Sequence, residues 1–199
     1  MNMLKYRCIK CGTCCFDLPK SDGVKRIPLY PEEVEKMIEL AKIRGIKFQV
    51  IEDLVFPDVI NQKILVLTYK ILFNESESCP FYDKNVGCTI HDSKPFACQA
   101  YPLSLKNIDA FKFELSIDPL CNFVIENYEV LSKLNLDELK GVFLEEYPKA
   151  ELFYQKNKRL QMKIKTLEYK KQIFIPREIS LKQFNLYLNQ WERKEIIVD

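Results

Sequence analysis

The stretch Cys8-Ile9-Lys10-Cys11-Gly12-Thr13-Cys14-Cys15 places four cysteines within eight residues of a 199-residue chain. Four more cysteines follow at Cys79, Cys88, Cys98 and Cys121. Two thiolates separated by two residues can reach one ion, while amide groups of the intervening turn donate hydrogen bonds to the sulfurs. This spacing predicts that the eight cysteines bind metal and that the metal joins distant parts of the chain during folding.

The rest of the sequence favours cysteines that stay reduced. The N-terminal residues contain no apolar segment typical of a signal peptide, and no run of about 18 apolar residues predicts a membrane span. We therefore expect a cytoplasmic protein, in which clustered cysteines bind metal rather than pair as disulfides. Disulfides remain an alternative, because intracellular disulfides occur in hyperthermophiles and a composition rich in Lys, Ile and Glu does not exclude that origin.

The net charge of the chain is close to neutral. It is +2 at pH 7, and the isoelectric point is about 8.0. A charge this small indicates no strong attraction to nucleic acid or to an anionic membrane. Residues 156–171 are locally basic. We interpret them as the solvated face of a helix rather than as a nucleic-acid surface, because an ordinary apolar stripe lies beneath them.

The first cysteines repeat a known cluster-binding spacing. The steps Cys8 to Cys11 and Cys11 to Cys14 match the run by which bacterial ferredoxins supply three ligands to one 4Fe–4S cluster. The match is incomplete, because Cys15 follows Cys14 directly. Adjacent side chains point in different directions in most backbone conformations, so we expect these two to serve different centres unless one is a spare thiol. Four thiolates suit structural zinc equally well, so the residue types leave the metal open.

Other roles for these residues are weaker interpretations. Cys15 and Cys121 are the cysteines that could most easily be buried without a ligand role. A catalytic thiol pair at Cys14-Cys15 has no support from its neighbours. His91 stands three residues after Cys88, which is the spacing of a zinc-ligand pair. We interpret it as a polar loop histidine hydrogen-bonded to its surroundings, because eight cysteines already supply enough ligands.

The pattern of apolar residues predicts an α+β fold in two parts. Residues 1–125 form a small, irregular, cysteine-rich domain held together by metal, with short strands and a helix. Residues 126–199 form a helical C-terminal extension without cysteines. The helix of the first part covers residues 31–44, because Pro31 and the acidic residues after it suit a first turn.

Further elements follow from local signals. Residues 46–60 fit a strand or a helix, which Pro57 should end. Strands are predicted over residues 63–73, 103–105 and 110–117, with Phe111, Phe113 and Leu115 alternating with polar residues in the last, and a hairpin turn over Asp83 to Gly87. Helices are predicted over Pro95 to Cys98 with Ser93 as cap, over Asp137 to Tyr147, from Pro148 onward, and after the N-cap Ser180.

The residues around the cysteines resemble the YkgJ-type cysteine-cluster family, which is described as a zinc- or iron-chelating domain with the motif CxxCxxCC. The matching segments are Cys8 to Cys15, Pro31-Glu32, Cys79-Pro80-Phe81, Cys88-Thr89-Ile90-His91, Pro95, Cys98, Tyr101-Pro102 and Cys121. The resemblance covers about residues 8–121 and is specific, because so many motifs occur in order. Lys94 and Gln99 stand where the family usually has arginine, so an anion contact made by those arginines is not carried over.

The resemblance implies a metal site but not a reaction. Our preferred interpretation is a protein that carries one or two iron–sulfur centres (4Fe–4S) or zinc through its eight cysteines, with a role in electron transfer or as an iron–sulfur oxidoreductase. A second interpretation is a zinc-stabilised module that binds a protein partner through its C-terminal helices without catalysis. A third, by analogy with flagellin lysine methylases, is a cluster-dependent enzyme that modifies proteins. No glycine-rich loop for a nucleotide or for S-adenosylmethionine supports the third.

Overall fold

The computed structural model describes residues 4–15, 27–109 and 113–198. The helices of this part are α1 (Pro31–Ile43), α2 (Phe96–Ala100), α3 (Asn122–Glu126), α4 (Tyr128–Leu131), α5 (Leu136–Val142), α6 (Glu146–Tyr169) and α7 (Leu181–Gln190). The strands are β1 (Pro28–Leu29), β2 (Val50–Asp58), β3 (Lys63–Ile71), β4 (Tyr82–Asp83), β5 (Gly87–Cys88), β6 (Leu103–Asn107), β7 (Phe113–Ile117) and β8 (Glu192–Glu195). Two 3₁₀ turns cover Thr13–Cys15 and His91–Ser93. This mixture confirms the predicted α+β class.

Strand β3 lies at the centre of the largest sheet. Strand β2 pairs with it antiparallel along one side, while β1 (antiparallel) and β8 (parallel) share the other side near opposite ends. The segment Ile64-Leu65-Val66-Leu67 of β3 is buried throughout. A continuous apolar run of this kind is typical of a strand that is covered on both faces. The last strand of the chain therefore completes a sheet built from its first third.

Local signals predicted several elements correctly. Helix α1 fills the predicted residues 31–44, and β3 lies within the predicted residues 63–73. Strands β4 and β5 form the predicted hairpin. In its turn, the Asp83 carboxylate accepts hydrogen bonds from the backbone N–H groups of Asn85 and Val86. This side chain fixes the turn because it satisfies two amides that the short strands leave unpaired.

The C-terminal helices form with shifted bounds. The helix predicted to reach Tyr147 ends at Val142, and α6 begins at Glu146, two residues before Pro148. Proline is tolerated in a first helical turn, where its missing N–H needs no partner. The Oγ of Ser180 accepts a hydrogen bond from the backbone N–H of Gln183 at 3.2 Å, which confirms Ser180 as the N-cap of α7.

Two local expectations are wrong. Pro57 does not end the strand that forms over residues 50–58, because it pairs with Ile64 inside β2. Among the described strands it pairs with β3 alone, and an edge strand tolerates a residue without an N–H group. Ser93 does not cap α2, because it belongs to the preceding 3₁₀ turn, and Pro95 occupies the cap position.

The predicted strand over residues 110–117 is present as β7 from Phe113 onward, while residues 110–112, including Phe111, lie outside the described residues. The alternation predicts that Phe113 faces the core, but its side chain is 40% exposed. Within residues 4–15, 27–109 and 113–198, no helix combines the length and the apolar character needed to cross a bilayer.

Buried side chains form three hydrophobic clusters. In the first, Tyr6 packs with Phe143, and in the third, Leu65 of β3 packs with Leu160 of α6. The second contains Cys15 and Cys79, and Cys14, Cys88 and Cys98 pack against it. The first and third clusters thus combine residues from both sides of position 125, where the sequence predicts a domain boundary. That boundary remains a prediction.

Candidate metal centre

All eight predicted ligands line one cavity of about 50 Å³. They come from four parts of the chain: the N-terminal loop, the β4–β5 hairpin with its approach, helix α2, and the entry to α3. The full set is Cys8, Cys11, Cys14, Cys15, Cys79, Cys88, Cys98 and Cys121. Folding therefore brings together thiols that are up to a hundred or so residues apart in the sequence.

Backbone contacts join the first cysteines to the second set. The backbone N–H of Cys15 donates to the carbonyl oxygen of Gly12, and the backbone N–H of Cys79 donates to the carbonyl oxygen of Cys15, each at 2.6 Å. Gly12 has a φ of +84°, and a Cβ atom there would collide with the ring of Tyr82. A side chain at position 12 would therefore be strained by this φ and would require the Tyr82 ring to move, a constraint that the sequence did not reveal.

Four sulfurs form a contact group around Cys15. The Sγ atoms of Cys14 and Cys15 lie 3.8 Å apart. The sulfurs of Cys79 and Cys88 also lie within hydrogen-bonding distance of the Cys15 sulfur. We call Cys14, Cys15, Cys79 and Cys88 the inner group. Two thiolates on one tetrahedral zinc ion, each about 2.3 Å from the metal, would be separated by about 3.8 Å.

The sequence predicts that the side chains of Cys14 and Cys15 point in different directions. This prediction is wrong, because their sulfurs are in contact. Both residues belong to the 3₁₀ turn Thr13–Cys15. Successive side chains in such a turn are separated by about 120°, rather than being opposed as they are in a strand. The tight turn therefore allows both sulfurs to approach the same space.

The other cysteines are more dispersed. Cys8, Cys11 and Cys121 form what we call the outer group. Cys11 is exposed, and its sulfur lies 3.3 Å from the hydroxyl oxygen of Thr13. Cys121 is buried and accepts a hydrogen bond from the Tyr6 hydroxyl, while Cys8 packs against the same hydrophobic cluster. The eighth cysteine, on α2, packs with the cluster that surrounds the inner group.

Backbone N–H groups donate hydrogen bonds to the sulfurs of cysteines outside the N-terminal run. Cys79 accepts a hydrogen bond from the N–H of Phe81, and Cys88 accepts one from the N–H of Ile90. Cys121 accepts hydrogen bonds from the N–H groups two and three residues after it. Such N–H to sulfur bonds stabilise the thiolate form, which is the form that binds metal. The sequence predicts such bonds in the N-terminal run, and the structure shows them at Cys79, Cys88 and Cys121, which lie far from it.

The inner sulfurs differ in acidity. The thiol of Cys15, positioned between its neighbours, lowers the pKa of Cys88 to about 6, with further contributions from the Ile90 N–H, Lys94 and Lys10, against the effect of burial. Hydrogen bonds to Cys14, Cys79 and Cys88, followed by burial, raise the pKa of Cys15 itself. Cys15 therefore keeps its proton more readily than Cys88 does. A bound metal ion would displace that proton.

The residue types fit a soft metal. No Asp or Glu among the described residues lines the cavity, and thiolates select zinc, iron–sulfur clusters and copper(I) over calcium or magnesium. In the part of the chain that the structure describes, however, no three His, Cys, Asp or Glu side chains form a ready coordination site for one ion. The inner thiols instead hydrogen-bond to Cys15, so metal binding requires them to turn toward a common centre.

His91 is the residue that the sequence interpretation underestimated. It lines the same cavity as the cysteines. The expected hydrogen bond to the surroundings is present between the imidazole and Asp92, but Nε2 is buried and has no hydrogen-bond partner among the described residues. Burial and then the charge of Lys94 lower the pKa of His91. The imidazole is therefore neutral near pH 7, which is the form that binds metals.

Comparison with known proteins agrees with this geometry. The sequence pattern of the CxxCxxCC family, whose description is "Putative zinc- or iron-chelating domain", matches residues 7–122. No curated protein and no solved structure gives a match. The matched residues make up more than half of the 199-residue chain and include all eight cysteines. The chain therefore belongs to the CxxCxxCC family of zinc- or iron-chelating domains.

Proposed function

We propose that the protein holds one or two zinc or iron centres through its eight cysteines, and that iron–sulfur chemistry gives it a role in electron transfer. The observation that carries this proposal is the convergence of all eight cysteines on one cavity without a carboxylate among the described residues that line it. The family description states chelation of zinc or iron by the domain at residues 7–122. The ligand set, the cluster and the redox role are our own proposals.

The outer group supports the iron–sulfur part of the proposal. Cys8 and Cys11 belong to the ferredoxin-like run, and Cys121 arrives from a distant part of the chain, as the fourth ligand of such a run does. Cys11 is exposed. A cluster bound there would lie near the surface, where a redox partner can approach it. Exposed Arg7 and Lys10 flank this position and would favour a partner with an acidic surface.

The inner group supports a second candidate function, in which the protein is a zinc-stabilised interaction module without catalysis. The 3.8 Å contact between Cys14 and Cys15 matches two thiolates on one tetrahedral ion. A protein partner would then bind the C-terminal helices, where Leu181 and Leu186 of α7 are exposed. For either function we propose a cytoplasmic location, because the thiols must stay reduced.

Anaerobic purification of the full chain, followed by metal analysis and a visible spectrum, tests the proposal. A brown protein with stoichiometric iron and sulfide, whose broad absorbance is bleached by dithionite, supports iron–sulfur chemistry. A colourless protein with stoichiometric zinc supports the interaction module and excludes the electron-transfer role. A protein that contains neither metal and binds neither after reduction of its thiols contradicts both functions.

A further inference from the structure

The turn after Cys88 places a second metal-binding residue type, the histidine His91, at the cysteine-lined cavity. The N–H of Ile90 donates to the sulfur of Cys88, and the 3₁₀ turn His91–Ser93 begins at the next residue. Cys88 and His91 both line the cavity. A cysteine followed three residues later by a histidine on one tight turn is a pair that can hold a single ion.

The two nitrogens of His91 have different surroundings. Nε2 is buried and makes no hydrogen bond in the described part of the chain. Nδ1 lies 3.5 Å from the Oδ1 atom of Asp92, whose side chain is exposed. A buried nitrogen without a partner costs free energy, and metal-bound histidines usually turn their other nitrogen toward a carboxylate. Both features are those of an imidazole that is oriented for a metal.

We propose that Nε2 of His91 is a metal ligand beside Cys88 in the inner group. This inference rests on the proposed metal-binding function and refines its ligand set. Nε2 of His91 and three of the four inner-group sulfurs then form a Cys₃His centre, a common type of structural zinc site.

The chain contains one histidine, so labelling with ¹⁵N-histidine reports on this imidazole alone. The full chain, labelled in this way, is reduced and loaded with ¹¹³Cd²⁺, an NMR-active substitute for zinc. We expect the Nε2 signal to be split by scalar coupling to ¹¹³Cd, which requires a direct bond. Bound cadmium without that splitting overturns the role of His91 and leaves metal binding by the cysteines intact. Failure of the wild-type chain to bind cadmium overturns both.

Variants provide an independent readout in cadmium titrations. We expect His91→Ala to weaken binding at the inner group by more than about 100-fold, and Asp92→Asn to weaken it by about 10-fold, as loss of an outer-shell carboxylate does. His91→Cys should restore most of the affinity, because it returns a ligand to the same turn. Glu75→Gln, which changes an exposed acid in another loop, is the control and should have no effect. Unchanged affinity in His91→Ala contradicts the inference.

Discussion

The inner and outer groups of cysteines line one cavity, but the protein builds them differently. In the inner group, sulfurs touch around a buried Cys15, and a backbone hydrogen bond links that residue to Cys79. In the outer group, the side chains range from the exposed Cys11 to the buried Cys121. Both groups pack in hydrophobic clusters, but the outer group also includes the exposed Cys11.

This difference indicates that the two groups contribute differently to stability. A ligand inside a cluster couples metal binding to folding, because the sulfurs are assembled only when the cluster has packed. A ligand at the surface can be removed with little loss of packing. The comparison therefore predicts a stability that depends mainly on the inner group and an exchange of metal or electrons that depends mainly on the outer one.

The largest expected effect separates the two groups directly. We expect Cys15→Ser to lose the inner metal and to lower the free energy of unfolding by more than about 4 kcal/mol, since it removes a ligand and buries a hydroxyl group. Cys11→Ser is the matched change at an exposed position. It should lose metal from the outer group and lower the free energy of unfolding by less than about 1 kcal/mol. Urea unfolding and metal analysis measure both effects. Equal destabilisation by the two variants would contradict the prediction that stability depends mainly on the inner group.

The second effect tests the close packing beneath the inner group. Gly12→Ala should lower the free energy of unfolding by about 2–4 kcal/mol, because alanine is strained at a φ of +84° and its Cβ collides with the Tyr82 ring. Gly141→Ala is the control. It lies in α5 with no atom within 4 Å of the added Cβ, so it should stabilise the protein by about 0.5–1 kcal/mol. A neutral Gly12→Ala would mean that the loop and the hairpin can move apart.

The third effect concerns the helix that carries Cys98. The buried carboxylate of Glu33 accepts hydrogen bonds from the backbone N–H of Tyr30 at 3.0 Å and from that of Phe96, in α2, at 2.8 Å. Glu33→Gln replaces one acceptor with an amide N–H₂ and leaves one buried donor unsatisfied. We expect a loss of about 1–3 kcal/mol in urea unfolding.

Glu35→Gln provides the matched control, because Glu35 lies on the same helix and is exposed. It should change the free energy of unfolding by no more than about 0.5 kcal/mol. If the two variants behave alike, Glu33 does not join α1 to α2, and the support of Cys98 must come from elsewhere.

The smallest effect is the pH dependence of the same contact. Burial raises the pKa of Glu33 above its ordinary value of 4.5, against the two backbone N–H groups, which lower it. The folded state therefore binds more protons than the unfolded state between pH 4.5 and the folded pKa. The stability of the wild type relative to Glu33→Gln should fall as the pH rises through this window and then level off. Urea unfolding of both proteins at several pH values measures the difference, and a rise would contradict the direction.

The sequence was sufficient to predict those helices and strands whose physical cause lies in neighbouring residues. The acidic first turn after Pro31, the β-branched run of β3 and the hydroxyl of Ser180 act on neighbouring backbone, and each predicted element is present. The sequence was insufficient where the cause lies in a distant segment. Pro57 remains within a strand because β2 is an edge strand, and nothing near Pro57 in the sequence indicates that position.

The candidate site shows the same limit. The spacing Cys88-x-x-His91 was visible, but only the burial of Nε2 without a partner gives it weight. The contact between the sulfurs of Cys14 and Cys15 depends on the 3₁₀ turn, which a sequence without helical periodicity does not reveal. The basic residues Lys10 and Lys94 near Cys88 were also not recognised, because they reach it only after folding.

By itself, the sequence determined the residue types available for metal binding: eight thiols favour soft metals over calcium or magnesium. Tertiary structure decided which thiols meet, because contacts between segments separated by sixty or more residues depend on how hydrophobic clusters pack. Cys8 to Cys15 supply half of the thiols, and the fold divides that half between the inner group, with the buried Cys15, and the outer group, with the exposed Cys11.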